Sequence, residues 1–285
     1  MKLISYLSES GQRVAGRGSD GGYVDIQSAD SSLPSTMREL LALGPEGLKR
    51  AAVAVGKGTP MTATPRILAP VPDPQKVICV GLNYADHAKE SGVQPPEEPV
   101  FFCKFPTAVC AHEDNIVLPK VSAQIDYEAE LVVVIGRGGK NIPKQKVVEH
   151  VAGYCPGHDV SARDWQLNKP GKQWLLGKTF DTFAPFGPEL TTADEVGDPS
   201  DLRIQLRLNG TTMQDSRTNQ LIFKIDELVA YVSQVCTLVP GDVIFTGTPP
   251  GVGMARKPPV LLKPGDSVEV EIEKLGTLRN KCVGE

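Results

Sequence analysis

The chain is expected to be a β-rich α+β protein, with a small N-terminal α+β domain over residues 1–66 and a larger domain over 67–285. Three observations lead there. Short β-branched and aromatic runs bounded by Gly, Pro, Asn and Asp recur through the larger segment, Asn209-Gly210 separates two such runs, and the stretch 56–74 gathers proline and glycine at one point. A chain of 285 residues with 40% hydrophobic content can bury a full core.

In the N-terminal part, Lys2–Leu7 and Gly22–Ile26 read as short strands. Thr36 and Glu39 have capping-box spacing ahead of Leu40–Leu43, Gly44-Pro45 stops that helix, and Leu48–Val55 is a second helical piece. Lys76–Val80 is a buried strand that leaves through Gly81–Tyr84 into a short helix. His87 and Glu90 lie three apart on that helix, where a carboxylate can orient an imidazole, although a plain surface pair has the same spacing. Val100–Phe105 is an aromatic strand. Gly136–Lys140 lacks the G-x-x-x-x-G-K-[ST] pattern and runs into Asn141-Ile142-Pro143, so it is not a phosphate loop.

Val147–Val151 reads as a short helix. Asp159 closes a strand, ahead of a helix that Ser161 can cap with Asp164 three residues on. Lys178 lies among Trp174, Phe180, Phe183 and Phe186. An ammonium there needs an anionic partner or a lowered pKa, and both suit catalysis better than structure. In the last third, Ile204–Leu208 and Thr211–Met213 flank the Asn-Gly turn of a hairpin, and Ile225–Cys236 has the spacing of a core-facing helix. Val243–Phe245 is a strand. It opens into Thr246–Gly253, whose glycines allow amides and hydroxyls to approach an anion. Ser267–Lys274 alternates Val268, Val270 and Ile272 with acids, a half-buried strand with a solvated face.

The stretch Ile125–Gly136 carries the strongest chemical signal. Its second half is a continuous aliphatic run, while its first half places Asp126, Glu128 and Glu130 at alternate positions. On a strand these share one face, with neighbouring Cα atoms ~6.6 Å apart. Unpaired carboxylates that close are costly to bury, and a hard cation removes the cost because Mg²⁺, Mn²⁺ and Ca²⁺ prefer carboxylate oxygens. A solvated strand end is the alternative. Asp159 can be a third oxygen ligand or a turn residue.

Composition excludes several classes. With 30 basic and 34 acidic residues the net charge is −4, which suits neither nucleic acid nor an anionic membrane as partner. No apolar run approaches the ~18 residues of a bilayer span, and Met1–Glu9 is too short and too soon acidic for a signal peptide, so a soluble, non-exported protein is expected. The six cysteines form no C-x-x-C pair, which argues against zinc ribbons, thioredoxin chemistry and a disulfide scaffold and for reduced core or near-core thiols.

Five motifs in order, Gly81-Leu82-Asn83-Tyr84-Ala85-Asp86-His87, Asp126-Tyr127-Glu128-Ala129-Glu130-Leu131, His158-Asp159-Val160-Ser161-Ala162-Arg163-Asp164-Trp165-Gln166, Gly177-Lys178-Thr179-Phe180-Asp181 and Thr246–Gly253, resemble those of the fumarylacetoacetate hydrolase family. The likeness runs from about residue 70 to the C-terminus. It implies a C-terminal domain of mixed β-sheets rolled around a metal site, commonly in a homodimer. By match, Glu128, Glu130 and Asp159 hold Mg²⁺ or Mn²⁺, with Ca²⁺ as a substitute. Lys178, His87 and Glu90 match catalytic residues, and Arg163, Gln166 and Thr248 match substrate-binding ones. The larger hydrolases of the family add an aspartate ligand near the position of Asn83, so their metal shell transfers only in part.

The substrates this resemblance implies are small 2-oxo acids. The 2-oxo carboxylate would chelate the ion, which polarises the C2 carbonyl and acidifies C3. Keto–enol tautomerisation of oxaloacetate is the first expectation. Acylpyruvate or fumarylpyruvate-type C–C hydrolysis is the alternative, followed by an isomerase or decarboxylase of aromatic catabolism. The expected compartment is the cytoplasm for a bacterial protein and the mitochondrial matrix for an animal one.

Overall fold

The strand Ala129–Ile135 is buried along its whole length, and its two faces belong to different layers. Leu131, Val133 and Ile135 pack with Ile204, Leu206, Val270 and Leu278, whereas Val132 and Val134 pack with Leu3, Ile26, Leu40 and Phe245. The computed structural model describes residues 1–285, the side chains of Ser91 and Lys172 excepted.

A ten-stranded sheet runs, edge to edge, through Tyr23–Asp25, Gly11–Arg17, Lys2–Ser8, Leu190–Thr192, Val151–His158, Ala129–Ile135, Val243–Phe245, Val77–Gly81 and Val100–Lys104, with Arg66–Ile67 attached to Lys2–Ser8. Its pairings are antiparallel except that of Val243–Phe245 with Val77–Gly81. A five-stranded sheet of Thr211–Arg217, Arg203–Leu208, Ser267–Ile272, Gly276–Gly284 and Asn115–Leu118 packs across the first core. The result is the expected β-rich α+β class with mixed sheets. In the segment 1–66, Lys2–Ser8 hydrogen-bonds Leu190–Thr192, so its strands continue the edge of the large sheet. The helices Met37–Ala42 and Gly44–Lys57 add Leu40, Leu41 and Ala51 to the second core.

Local chemistry accounts for several element ends. Thr36 caps Met37–Ala42, its hydroxyl accepting from Glu39 N and donating to the Glu39 carboxylate. Asn209 and Gly210 both take positive φ, 51° and 79°, which the two-residue turn between Arg203–Leu208 and Thr211–Arg217 requires. Ser267–Ile272 buries Val268, Val270 and Ile272 and pairs Glu269 and Glu271 with Arg207. Two helix expectations are corrected. The piece before Val151 is a 3₁₀ turn over Lys144–Glu149, and Val151 already belongs to the next strand. Ser161 caps nothing, because its hydroxyl donates to the Asp159 carbonyl and the helix Arg163–Asn168 begins without a side-chain cap.

All six cysteines are free, and Cys103 is exposed on the edge strand rather than in the core. No helix among the described residues is long and apolar enough to cross a membrane. Beneath the central strand, Phe245 meets Phe186 edge-on at 6.1 Å between centroids, and a Cβ on Gly157 would lie 2.8 Å from the Phe245 ring. Phe245→Ala is expected to cost about 3–5 kcal/mol of stability in urea unfolding. A loss under about 1 kcal/mol would show that this layer does not carry the packing assigned to it.

Candidate metal centre

Between Ile125–Asp126 and Ala129–Ile135 the chain leaves strand geometry for two residues, and this break divides the acids. Asp126 turns away from the other two. Its carboxylate accepts from Tyr127 N at 2.8 Å, Gly253 N at 2.7 Å, Met254 N at 3.0 Å and Arg163 Nε at 2.8 Å. The expected face of three acids on one strand is therefore corrected to two. The third carboxylate arrives from the next strand: Ala129 pairs with His158, and Asp159 N donates to the Glu128 carbonyl at 2.9 Å. Oxygens of Glu128, Glu130 and Asp159 then lie within 4.8 Å of one another, all three residues buried.

Two lysines and one arginine surround this cluster. Lys178 Nζ donates to Glu128 Oε2 and to Asp159 Oδ2, 2.8 Å each, and lies 5.2 Å from the Phe102 ring centroid. Lys104, which the sequence reading passed over, places its Nζ 2.6 Å from Asp159 Oδ1 and donates to the carbonyls of Val160, Lys178 and Phe183. Arg163 meets Glu128 Oε1 at 2.7 Å, Asp126 at 2.8 Å and Gln166 Oε1 at 2.9 Å, so its donors hold protein groups.

These neighbours give the two glutamates opposite properties. Burial pushes the Glu128 carboxyl up, but Lys178 and Arg163 outweigh it and hold it at about 2. Burial also raises Glu130, and Asp159 and Glu128 add to the rise, so its carboxyl lies well above the usual range. Gly247 N donates to Glu130 at 2.7 Å, and among the described residues no cationic side chain pairs with it. Burial works against the charge of Lys178, but Asp159 and Glu128 prevail and keep it an ammonium. His158 is buried without hydrogen-bond partners, and burial together with Lys104 lowers it to about 3, so the ring beside Asp159 is neutral.

The remaining expected residues lie on several elements. His87 Nδ1 and Glu90 Oε2 are 3.1 Å apart on the helix Ala85–Ser91, and Glu90 also accepts from Gly251 N. Asn83 is not a ligand; its amide is bound to the backbone of Phe223 and Thr246. Thr248 and Gln166 are buried. The loop after Val243–Phe245 does meet anions, and they are the chain's own: Glu130 at Gly247, Glu90 at Gly251 and Asp126 at Gly253 and Met254. Glycine is needed twice. Gly247 has φ +103°, and a Cβ on Gly253 would lie 1.9 Å from the Val260 carbonyl and 2.5 Å from Asp126. Gln214, also passed over, lies between Ala129 N and Thr248.

Three carboxylates and no nitrogen or sulfur donor form a set suited to a hard divalent cation. The fit extends to charge. Counting Asp126, which shares Arg163 with Glu128, four carboxylates against Lys104, Lys178 and Arg163 leave one negative charge, and a divalent ion would reverse it to one positive, ready for an anionic substrate. Lys104→Met, which removes the ion pair at Asp159 Oδ1 and one hydrogen bond from each of three buried carbonyls, is expected to cost about 3–5 kcal/mol in urea unfolding. A cost below about 1 kcal/mol would mean that Lys104 does not hold this site together.

Comparison with known proteins shows the family. The family model described as fumarylacetoacetate (FAA) hydrolase C-terminal matches residues 76–283. The chain is 52% identical to the mitochondrial oxaloacetate tautomerase FAHD2A of Bos taurus over 268 residues, covering 93% of this chain and 85% of that relative. The solved structure of fumarylacetoacetate hydrolase from psychrophilic Exiguobacterium antarcticum matches it with a TM-score of 0.87 at 35% identity, covering 100% of both chains. That of fumarylpyruvate hydrolase from Pseudomonas aeruginosa, in complex with Mn²⁺ and pyruvate, matches with a TM-score of 0.69 at 39% identity, covering 79% of this chain and 94% of that one. On the match across residues 76–283 and the 52% identity over 93% of the chain, the chain belongs to the fumarylacetoacetate hydrolase family.

Proposed function

We propose that this chain is a divalent-metal-dependent enzyme that interconverts the keto and enol forms of oxaloacetate or a closely similar 2-oxo diacid. The observation that carries the reading is the buried convergence of Glu128, Glu130 and Asp159, with a lysine ammonium between two of them. The tautomerase relatives at about half identity support the choice of reaction. Mg²⁺, with Mn²⁺ or Ca²⁺ as alternatives, would be held by those three carboxylates and would supply a Lewis acid that polarises the C2 carbonyl and makes the C3 proton acidic.

The protein's own groups then handle charge and protons. Lys178, held as an ammonium by Asp159 and Glu128, stabilises negative charge developing on the C2 oxygen and can hand that oxygen a proton. Glu90 holds the His87 ring through Nδ1, leaving Nε2 to exchange a proton at C3. We assign Thr248 and Gln166 to the substrate's carboxylate groups, and Arg163 to fixing Glu128 and Gln166 in place. No water need enter, because tautomerisation only moves a proton between C3 and the enol oxygen. We further propose a homodimer. Its compartment would be the cytoplasm for a bacterial protein or the mitochondrial matrix for an animal one, and the animal relatives' names, which include 'mitochondrial', support the mitochondrial option.

The test is to give the Mg²⁺-loaded protein oxaloacetate and follow enol absorbance and carbon dioxide release together, with and without chelator. Catalysed enol loss that is chelator-sensitive, releases no carbon dioxide and falls at least about 100-fold in Lys178→Met is expected. Failure to accelerate enol loss would discard tautomerisation, and cleavage of acylpyruvates by the same preparation would place the chain among the C–C hydrolases.

A further inference from the structure

Gln214 lies on the edge strand Thr211–Arg217 of the five-stranded sheet, yet its side chain is buried and reaches into the site. Its Oε1 accepts from Ala129 N at 2.8 Å, and its Nε2 donates to the Pro249 carbonyl at 2.8 Å and to Thr248 Oγ1 at 2.9 Å. The two backbone contacts fix which way the carboxamide faces, because a backbone N–H can only donate and a carbonyl can only accept. The group next to Thr248 is therefore a donor. Thr248 must accept there, and its own hydroxyl proton is directed elsewhere. Among the described residues no acceptor takes that proton.

We propose that Gln214 is a positioning residue that turns the Thr248 hydroxyl into a hydrogen-bond donor for a substrate carboxylate. The same carboxamide grips the amide between Glu128 and Glu130, so it also sets the distance from the carboxylate-binding loop to the metal-ligand strand. The direction of the hydroxyl matters chemically. A carboxylate offers only acceptors, and a hydroxyl presenting lone pairs would repel it. Gln214 thereby selects for an anionic group beside Thr248 over a neutral hydrogen-bond donor. This inference rests on the assignment of Thr248 to the substrate carboxylate.

The test compares KM and kcat for oxaloacetate, and Mn²⁺ affinity by calorimetry, in Gln214→Met, Gln214→Glu, Thr248→Val and the two double variants. Thr248→Val is expected to raise KM about tenfold with little change in kcat or Mn²⁺ affinity. Gln214→Glu, at a pH where the introduced carboxyl is ionised, still accepts from Ala129 but cannot donate to Thr248. It should raise KM by a similar factor and largely spare Mn²⁺ binding, and Gln214→Met should weaken both. At saturating Mn²⁺ neither change at 214 should raise KM further in the Thr248→Val background, which general loosening of the fold would not reproduce. If Thr248→Val leaves KM unchanged, the assignment of Thr248 fails and the inference falls with it. If Thr248→Val raises KM but Gln214→Glu does not, or acts equally in both backgrounds, the inference alone is overturned. Should Gln214→Met fail to fold, Gln214→Glu decides the matter.

Discussion

Three carboxylates share one buried space, and much of the surrounding structure can be read as the means of tolerating them. Uncompensated, each would protonate or cost several kcal/mol to bury. Lys104 is locked to Asp159 by an ion pair and three carbonyl contacts, and Arg163 secures Glu128, so these two cations are structural. Lys178 differs. It touches Glu128 and Asp159 at the centre of the cluster and faces the aromatic ring of Phe102, which makes it the cation placed to act on a substrate. Glu130 has no such partner: Gly247 N donates to it, but among the described residues no cationic side chain pairs with it, so its buried charge is the least compensated of the three.

The loop Thr246–Gly253 is the second device. A glycine-rich turn with several exposed amides looks made for a ligand's anion, but here three of its amides bind carboxylates of the chain. The loop is thereby fixed at Glu130, at Glu90 beside His87, and at Asp126 beside Arg163. One short segment thus joins the metal-ligand strand, the His87 helix and the arginine that orients Glu128. Thr248 is held inside that segment, so the side chain assigned to a substrate carboxylate inherits its position from the metal site.

How much could be read in advance differed from residue to residue. Glu128 and Glu130 were legible because acids preceding a buried aliphatic run are hard to explain otherwise, whereas Asp159 stood as a turn residue or a ligand until the family motif matched it; the structure brings all three together. Asp126 looked equivalent to its neighbours because alternation presumes an unbroken strand, and the two-residue break before Ala129 could not be seen in a pattern of side chains. Lys104 carried the signal used for Lys178, a lysine in an aromatic run, but Val100–Phe105 was read only as an aromatic strand and no role followed for its lysine. Gln214 gave no signal: a glutamine on an edge strand is ordinary until the fold shows that its carboxamide spans Ala129 and Thr248. The strand order was also out of reach, since pairing Lys2–Ser8 with Leu190–Thr192 joins residues almost two hundred positions apart.

The most direct test of the carboxylate cluster is calorimetric titration of Mn²⁺ into the chelator-treated protein and into Glu130→Gln, with circular dichroism to verify the fold of both. One Mn²⁺ per chain is expected for the parent, and Glu130→Gln should keep its spectrum while losing at least about 100-fold in affinity. A folded Glu130→Gln protein that binds Mn²⁺ as tightly as the parent would contradict the assignment of these three carboxylates as the metal centre.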